Sequence, residues 1–275
     1  MPIRVITGSA GWKQLKASAG RNWKHYLQEA IGLAIFMISA CYFGALLESP
    51  QSALHAAMPQ AFTRTVTMGL LMGSTALFIF YSPLTAPSGS QINPAVTLCF
   101  LRLGKMCHWD ALFYIIFQFL GGTLAVYLMQ WLMGPVLTGP PVNSVVTVPG
   151  KSGAAAALMV EFGIAFCTMM MILFTSDHPK FKKYTRILSG ILVCSWVILA
   201  GPVSGFGMNP ARSFASALPA NTWTVFWIYA LIPLAAMLMA AELFRTIKRN
   251  KKNSFQKPYS SRPRKTVLDP MEFVL

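Results

Sequence analysis

Long apolar runs alternate with short polar or basic connections along most of the chain. Six runs, at about 26–47, 65–84, 109–133, 155–175, 186–203 and 222–244, approach the ~20 residues that cross a bilayer as a helix. Glu29, Glu161 and Asp110, the last near one end of its run, are almost the only charges inside them. Two further stretches, 93–103 and 209–218, are about half a span long, and each opens on Asn-Pro-Ala. Asn is a favoured N-cap and Pro a favoured first helical residue, so Asn93-Pro94-Ala95 and Asn209-Pro210-Ala211 each predict a helix start. The pattern predicts an all-α membrane protein with six transmembrane helices and two re-entrant half-helices.

Charge gives this pattern a direction. The net charge of +15 is not a nucleic-acid footprint, because twenty of the 23 Lys and Arg fall on one side of a six-span arrangement. Only Arg64, Lys151 and Arg212 fall on the other. The positive-inside rule therefore places both termini and the 176–186 connection in the cytoplasm. An even number of crossings satisfies that placement. The basic residues before Tyr26 lead into a run too long for the core of a cleavable signal, so none is expected. The five cysteines show no CxxC spacing and read as buried free thiols, and the histidines lack ligand spacing.

The polar phrase "SGSQINPAVT", residues 88–97, returns as "SGFGMNPARS" at 204–213. A Glu-x-Gly opens the first span of each half, at Glu29 and Glu161. The Glu-to-Asn separation is 64 residues in the first half and 48 in the second, with the surplus in the 48–64 connection. Each half, about 26–133 and 155–245, holds three crossings, so the second is inverted relative to the first. Inverted repeats with interrupted apolar segments at matching positions point to a solute pathway near the midplane. The half-helices enter from opposite sides, so their positive N-terminal dipole ends converge there. Such a centre favours neutral hydrogen-bond acceptors and repels cations and protons. Arg212 adds a fixed positive charge nearer one mouth.

With paired Asn-Pro-Ala motifs and Arg212 after the second, the chain resembles the aquaporin, or major intrinsic protein, family of water and glycerol channels over roughly residues 26–245. The resemblance implies a homotetramer in which each subunit has its own pore. It also implies that Glu29 and Glu161 brace the re-entrant loops. From the residues alone, an intramembrane proton relay is the rival role for these carboxylates.

By the same resemblance, the four positions of the selectivity filter fall on Gly73, Val197, Phe206 and Arg212. Gly73 leaves space and Val197 offers no hydrogen bond, which suggests a wider, more apolar constriction than in a strict water channel. Phe206 resembles the aromatic of glycerol channels. Ser213, Ala217 and Phe226-Trp227 resemble the water-channel pattern instead. Gln91 replaces the His common before the first motif.

Residues 1–25 form a short N-terminal segment, and 246–275 a basic, Pro-containing tail expected to be disordered. That tail is suited to anionic headgroups, at about 1 kcal/mol per basic residue near the surface. Ser254, Ser260, Ser261 and Thr266 are its candidate phosphorylation sites. The expectation is a multi-pass protein of the cell membrane, plasma or inner, conducting water and small uncharged solutes passively. No cofactor, metal site, catalytic constellation or nucleic-acid partner is expected. A facilitator of glycerol or other polyols, urea or a neutral metalloid acid is the first alternative. An ion- or proton-coupled transporter and a structural membrane protein with a closed pore are the others.

Overall fold

Each of the six apolar runs becomes one long helix in the computed structural model, which describes residues 9–255. In chain order the helices are α1 (Ser9–Glu48), α2 (Ala53–Ala57), α3 (Ala61–Tyr81), α4 (Pro94–Arg102), α5 (His108–Met133), α6 (Pro135–Thr138), α7 (Gly153–Asp177), α8 (Thr185–Ser204), α9 (Pro210–Ala220) and α10 (Phe226–Phe255). No strand occurs among the described residues. The spanning helices are α1, α3, α5, α7, α8 and α10, each long and apolar enough to cross a membrane. The chain is a multi-pass membrane protein.

Two boundaries differ from the sequence reading. The first helix begins at Ser9, well ahead of residue 26. Asp110, the charge at the start of α5, explains the clasp that holds this extension. It accepts hydrogen bonds from Ser18 Oγ at 2.9 Å, Asn22 Nδ2 at 3.0 Å and Tyr26 Oη at 2.5 Å. At the other end α10 continues to Phe255, so the stretch expected to start a disordered tail at 246 is helical. The candidate sites Ser260, Ser261 and Thr266 lie outside the described residues.

The inverted repeat is visible in the packing. In the first half α1 packs on α3 and α5; in the second, α7 packs on α8 and α10. Each half-helix crosses to the other half, α4 packing on α10 and α9 on α5. The central seam joins α3 to α8, where small residues let the backbones approach closely. A Cβ added at Gly73 would sit 2.7 Å from Cys194 Cβ and 3.1 Å from the Gly190 carbonyl. The surplus 48–64 connection is ordered by Arg64. Its Nε meets both Glu48 carboxylate oxygens at 3.2 Å, and its Nη1 donates to the Met58 and Pro59 carbonyls.

Cys41 and Cys99 are buried, but Cys167, expected inside, is exposed on α7, as is Cys107 on its connection. A transmembrane helix is apolar toward lipid as well as toward its neighbours, so hydrophobicity alone does not separate the two faces.

Candidate pore

Asn93 and Asn209 cap their half-helices as their sequence predicts. Asn93 Oδ1 accepts from the Ala95 amide at 2.9 Å; Asn209 Oδ1 accepts from Ala211 and Arg212 at 3.0 and 3.2 Å. Their amide nitrogens reach across the pseudo-twofold axis. Asn93 Nδ2 donates to the Met208 carbonyl at 3.0 Å, and Asn209 Nδ2 donates to the Ile92 carbonyl at 2.7 Å. A carboxamide carries two N–H donors, so one on each Asn is left over for the cavity that both residues line.

The loops before these caps take the same irregular path twice. Gly89, Ser90 and Ile92 have positive φ, as do Gly205, Phe206 and Met208. For the non-glycine residues, with φ between 41° and 52°, this conformation costs about 1–2 kcal/mol each. Buried carboxylates hold it. Glu29 accepts from Ser88 Oγ (2.6 Å), the Gln91 and Ile92 amides (2.9 and 2.6 Å) and Gln118 Nε2 (2.8 Å). Glu161 accepts from Ser204 Oγ (2.7 Å) and the Gly207 and Met208 amides (2.8 and 2.6 Å). Both carboxylates are fully buried, and neither lines either of the two cavities described below.

Sequence reasoning missed several residues of this scaffold. Tyr114 Oη donates to the Ser88 carbonyl at 2.8 Å, and Tyr229 Oη donates to the Ser204 carbonyl at 2.7 Å. The signal was available, since the two tyrosines follow Asn93 and Asn209 at nearly equal spacing. Thr147 was missed as well. It lies on the connection between the halves, and its Oγ1 accepts a hydrogen bond from Arg212 Nη1.

Two cavities share Phe36, Phe206 and Arg212, which lie between them. The first opens toward the face where α1 begins and α10 ends. It is lined by Gln91, Asn93, Asn209, Thr168, Ser189 and Arg186, among others. The second opens toward the opposite face and is lined by Glu48, Thr65, Met68, Met72 and Val197. Gln91 Oε1 is buried without a hydrogen-bond partner among the described residues, leaving an acceptor on a residue that lines the first cavity.

Phe206 and Arg212 line both cavities, and Val197 lines the second. Gly73 lines neither of the two. It faces the α3–α8 seam, while Met72 and, one turn earlier, Met68 face the cavity. One residue turns a helix face by about 100°, enough to exchange a cavity-lining side chain for a seam glycine. Ser213 is buried beside Thr147, with a 3.4 Å hydroxyl contact, and Phe226 packs on Phe214 and Trp223. Neither lines the constriction.

Comparison with known proteins agrees with this architecture. The profile described as Major intrinsic protein matches residues 16–244. A probable aquaporin TIP4-1 of Oryza sativa subsp. japonica is 32% identical over 162 residues, 58% of this chain and 62% of the relative. Aquaporin NIP1-2 of Arabidopsis thaliana is 31% identical over 185 residues, 66% of this chain and 62% of the relative. The match thus spans about three-fifths of the length of these curated relatives. In fold, the chain is similar to the aquaglyceroporin from Plasmodium falciparum. The TM-score is 0.68 at 15% identity, covering 84% of this chain and 99% of that one. On the extent of the profile match, the chain belongs to the major intrinsic protein family.

Proposed function

We propose that the protein is a passive channel for water and small uncharged solutes. The observation that carries this reading is the pair of cavities that share Phe36, Phe206 and Arg212, the first lined by Asn93 and Asn209. At the centre a permeating oxygen meets one remaining N–H from each Asn. The two half-helix N-termini add about half a positive charge each. A cation or a hydrated proton must lose water there and gains only repulsion in return. At the constriction Arg212 supplies the donors, while Met72, Val197 and Phe206 supply an apolar wall.

That mixture suits a solute with hydroxyl or amide groups on one side and carbon on the other. A glycerol- or urea-permeable pore is therefore the second reading, favoured by the small apolar Val197 and by the flexible thioether of Met72. The fold likeness to a protein described as an aquaglyceroporin is consistent with it. The saturated hydrogen bonding of Glu29 and Glu161 supports loop bracing over a proton relay. We place both termini in the cytoplasm from the charge asymmetry, in a plasma or inner membrane, with the subunits assembled as a homotetramer. Residues 26–245 form the channel unit, and the basic part of the tail lies on anionic headgroups.

Arg212→Val combined with Val197→Ala tests the constriction. The expected result is a several-fold rise in glycerol permeability relative to water, together with a proton leak reported by a pH-sensitive dye trapped in proteoliposomes. Unchanged selectivity would contradict the role given to Arg212.

A further inference from the structure

One hydroxyl in the wall of the first cavity departs from the pattern of its neighbours. A threonine on a helix commonly donates its hydroxyl proton to the carbonyl four residues earlier. Thr65, Thr67, Thr75, Thr97 and Thr175 all do so, at 2.8–3.2 Å. Thr168, on α7, does not. Its Oγ1 instead accepts a hydrogen bond from Trp196 Nε1 of α8 at 2.9 Å. A hydroxyl also carries one proton to donate, and that proton meets no acceptor among the described residues. Thr168 is only 5% exposed, yet it lines the first cavity. Its O–H is therefore left for what the cavity holds.

The indole keeps it so. Turning Thr168 back to the Ile164 carbonyl would leave the Trp196 N–H without its acceptor, at a cost of about 1–3 kcal/mol. The same cavity holds the spare N–H of Asn93 and of Asn209 and the carboxamide of Gln91, whose Oε1 has no partner. Ile172, Val193 and Met208 give it an apolar wall. A solute there meets hydrogen-bond donors at more than one place, with hydrocarbon beside them.

We propose that Thr168 is a specificity-determining residue that donates to a second oxygen of a small polyol, and that Trp196 is the positioning residue that aims it. A polyol carries oxygens on adjacent carbons. While one oxygen takes the N–H groups of Asn93 and Asn209, another accepts from Thr168, and the carbons lie against the apolar wall. Water and urea each bring a single oxygen, so neither makes both contacts at once and neither depends on Thr168. The inference rests on the channel reading and names its solute class.

Stopped-flow permeabilities to water, glycerol and urea test this in proteoliposomes of the full chain, for variants that elute as the parent does. Thr168→Val removes the hydroxyl at nearly constant shape. It should lower the glycerol-to-water ratio at least threefold and leave the urea-to-water ratio unchanged. Thr168→Ser keeps the O–H and should stay close to the parent. Trp196→Phe frees Thr168 to turn toward Ile164 and should lower the glycerol ratio by the same step. Added to Thr168→Val, it should change nothing further, and that double variant removes both partners, so no donor is orphaned. An unchanged glycerol ratio in Thr168→Val, an equal loss for urea or water, or independent effects of the two substitutions would overturn the proposal. A parent that passes water but no glycerol would overturn this inference alone, whereas a parent that passes neither would overturn the channel reading with it.

Discussion

Glu161→Leu is expected to yield no stably folded channel. The substitution leaves the Gly207 and Met208 amides and the Ser204 hydroxyl without their acceptor, inside a site from which water is excluded. Each orphaned donor costs about 1–3 kcal/mol, so the total is about 3–9 kcal/mol. The whole folding free energy of a typical protein is only ~5–15 kcal/mol. The positive φ values of Phe206 and Met208 also lose the contacts that hold them. Glu161→Gln should fall between parent and leucine, because its amide keeps one acceptor but turns an N–H₂ toward a backbone donor. Melting curves of detergent-solubilised protein, read by size-exclusion chromatography, should rank parent above Gln above Leu. A proton relay predicts the opposite pattern, with Gln as stable as the parent and flux abolished.

Met72→Trp and Gly73→Leu, adjacent substitutions on α3, should fail in different ways. Met72 lines the cavity, so an indole there fills space that a three-carbon solute needs. Glycerol permeability should fall by tenfold or more while water still passes, and the protein should remain well folded. Gly73 faces α8, where an added Cβ already meets Cys194 at 2.7 Å and the Gly190 carbonyl at 3.1 Å. Overpacking of this kind costs about 1–3 kcal/mol, and the bulk of a leucine side chain cannot fit without parting the seam. Gly73→Leu should therefore lower the melting temperature and the yield, with no selective loss of glycerol. Selective exclusion of glycerol by Gly73→Leu, with a silent Met72→Trp, would place Gly73 rather than Met72 in the filter.

This pair also shows where the sequence stops being informative. The spans and half-helices were legible because bilayer thickness sets a length and Asn-Pro sets a helix start. The duplication makes Glu29 and Glu161 equivalent in the sequence itself. Rotational phase was not legible. Both Met72 and Gly73 suit an apolar helix, and neither residue type says which one faces the cavity. Tyr114 and Tyr229 show only in their nearly equal spacing after the two asparagines. Thr147 was hidden, because its partner is a distant arginine that leaves no trace in local sequence. Cys167 shows the same limit at the lipid surface, where an apolar helix face is not necessarily an interior one.

The central claim is that the two cavities conduct. Stopped-flow light scattering of proteoliposomes holding the full chain, challenged with sucrose and then with glycerol gradients, tests it most directly. The account predicts water permeability well above that of protein-free vesicles, with a weak temperature dependence, and measurable glycerol entry through the same protein. Water permeability no higher than that of empty vesicles, from protein shown to be folded and inserted, would contradict it.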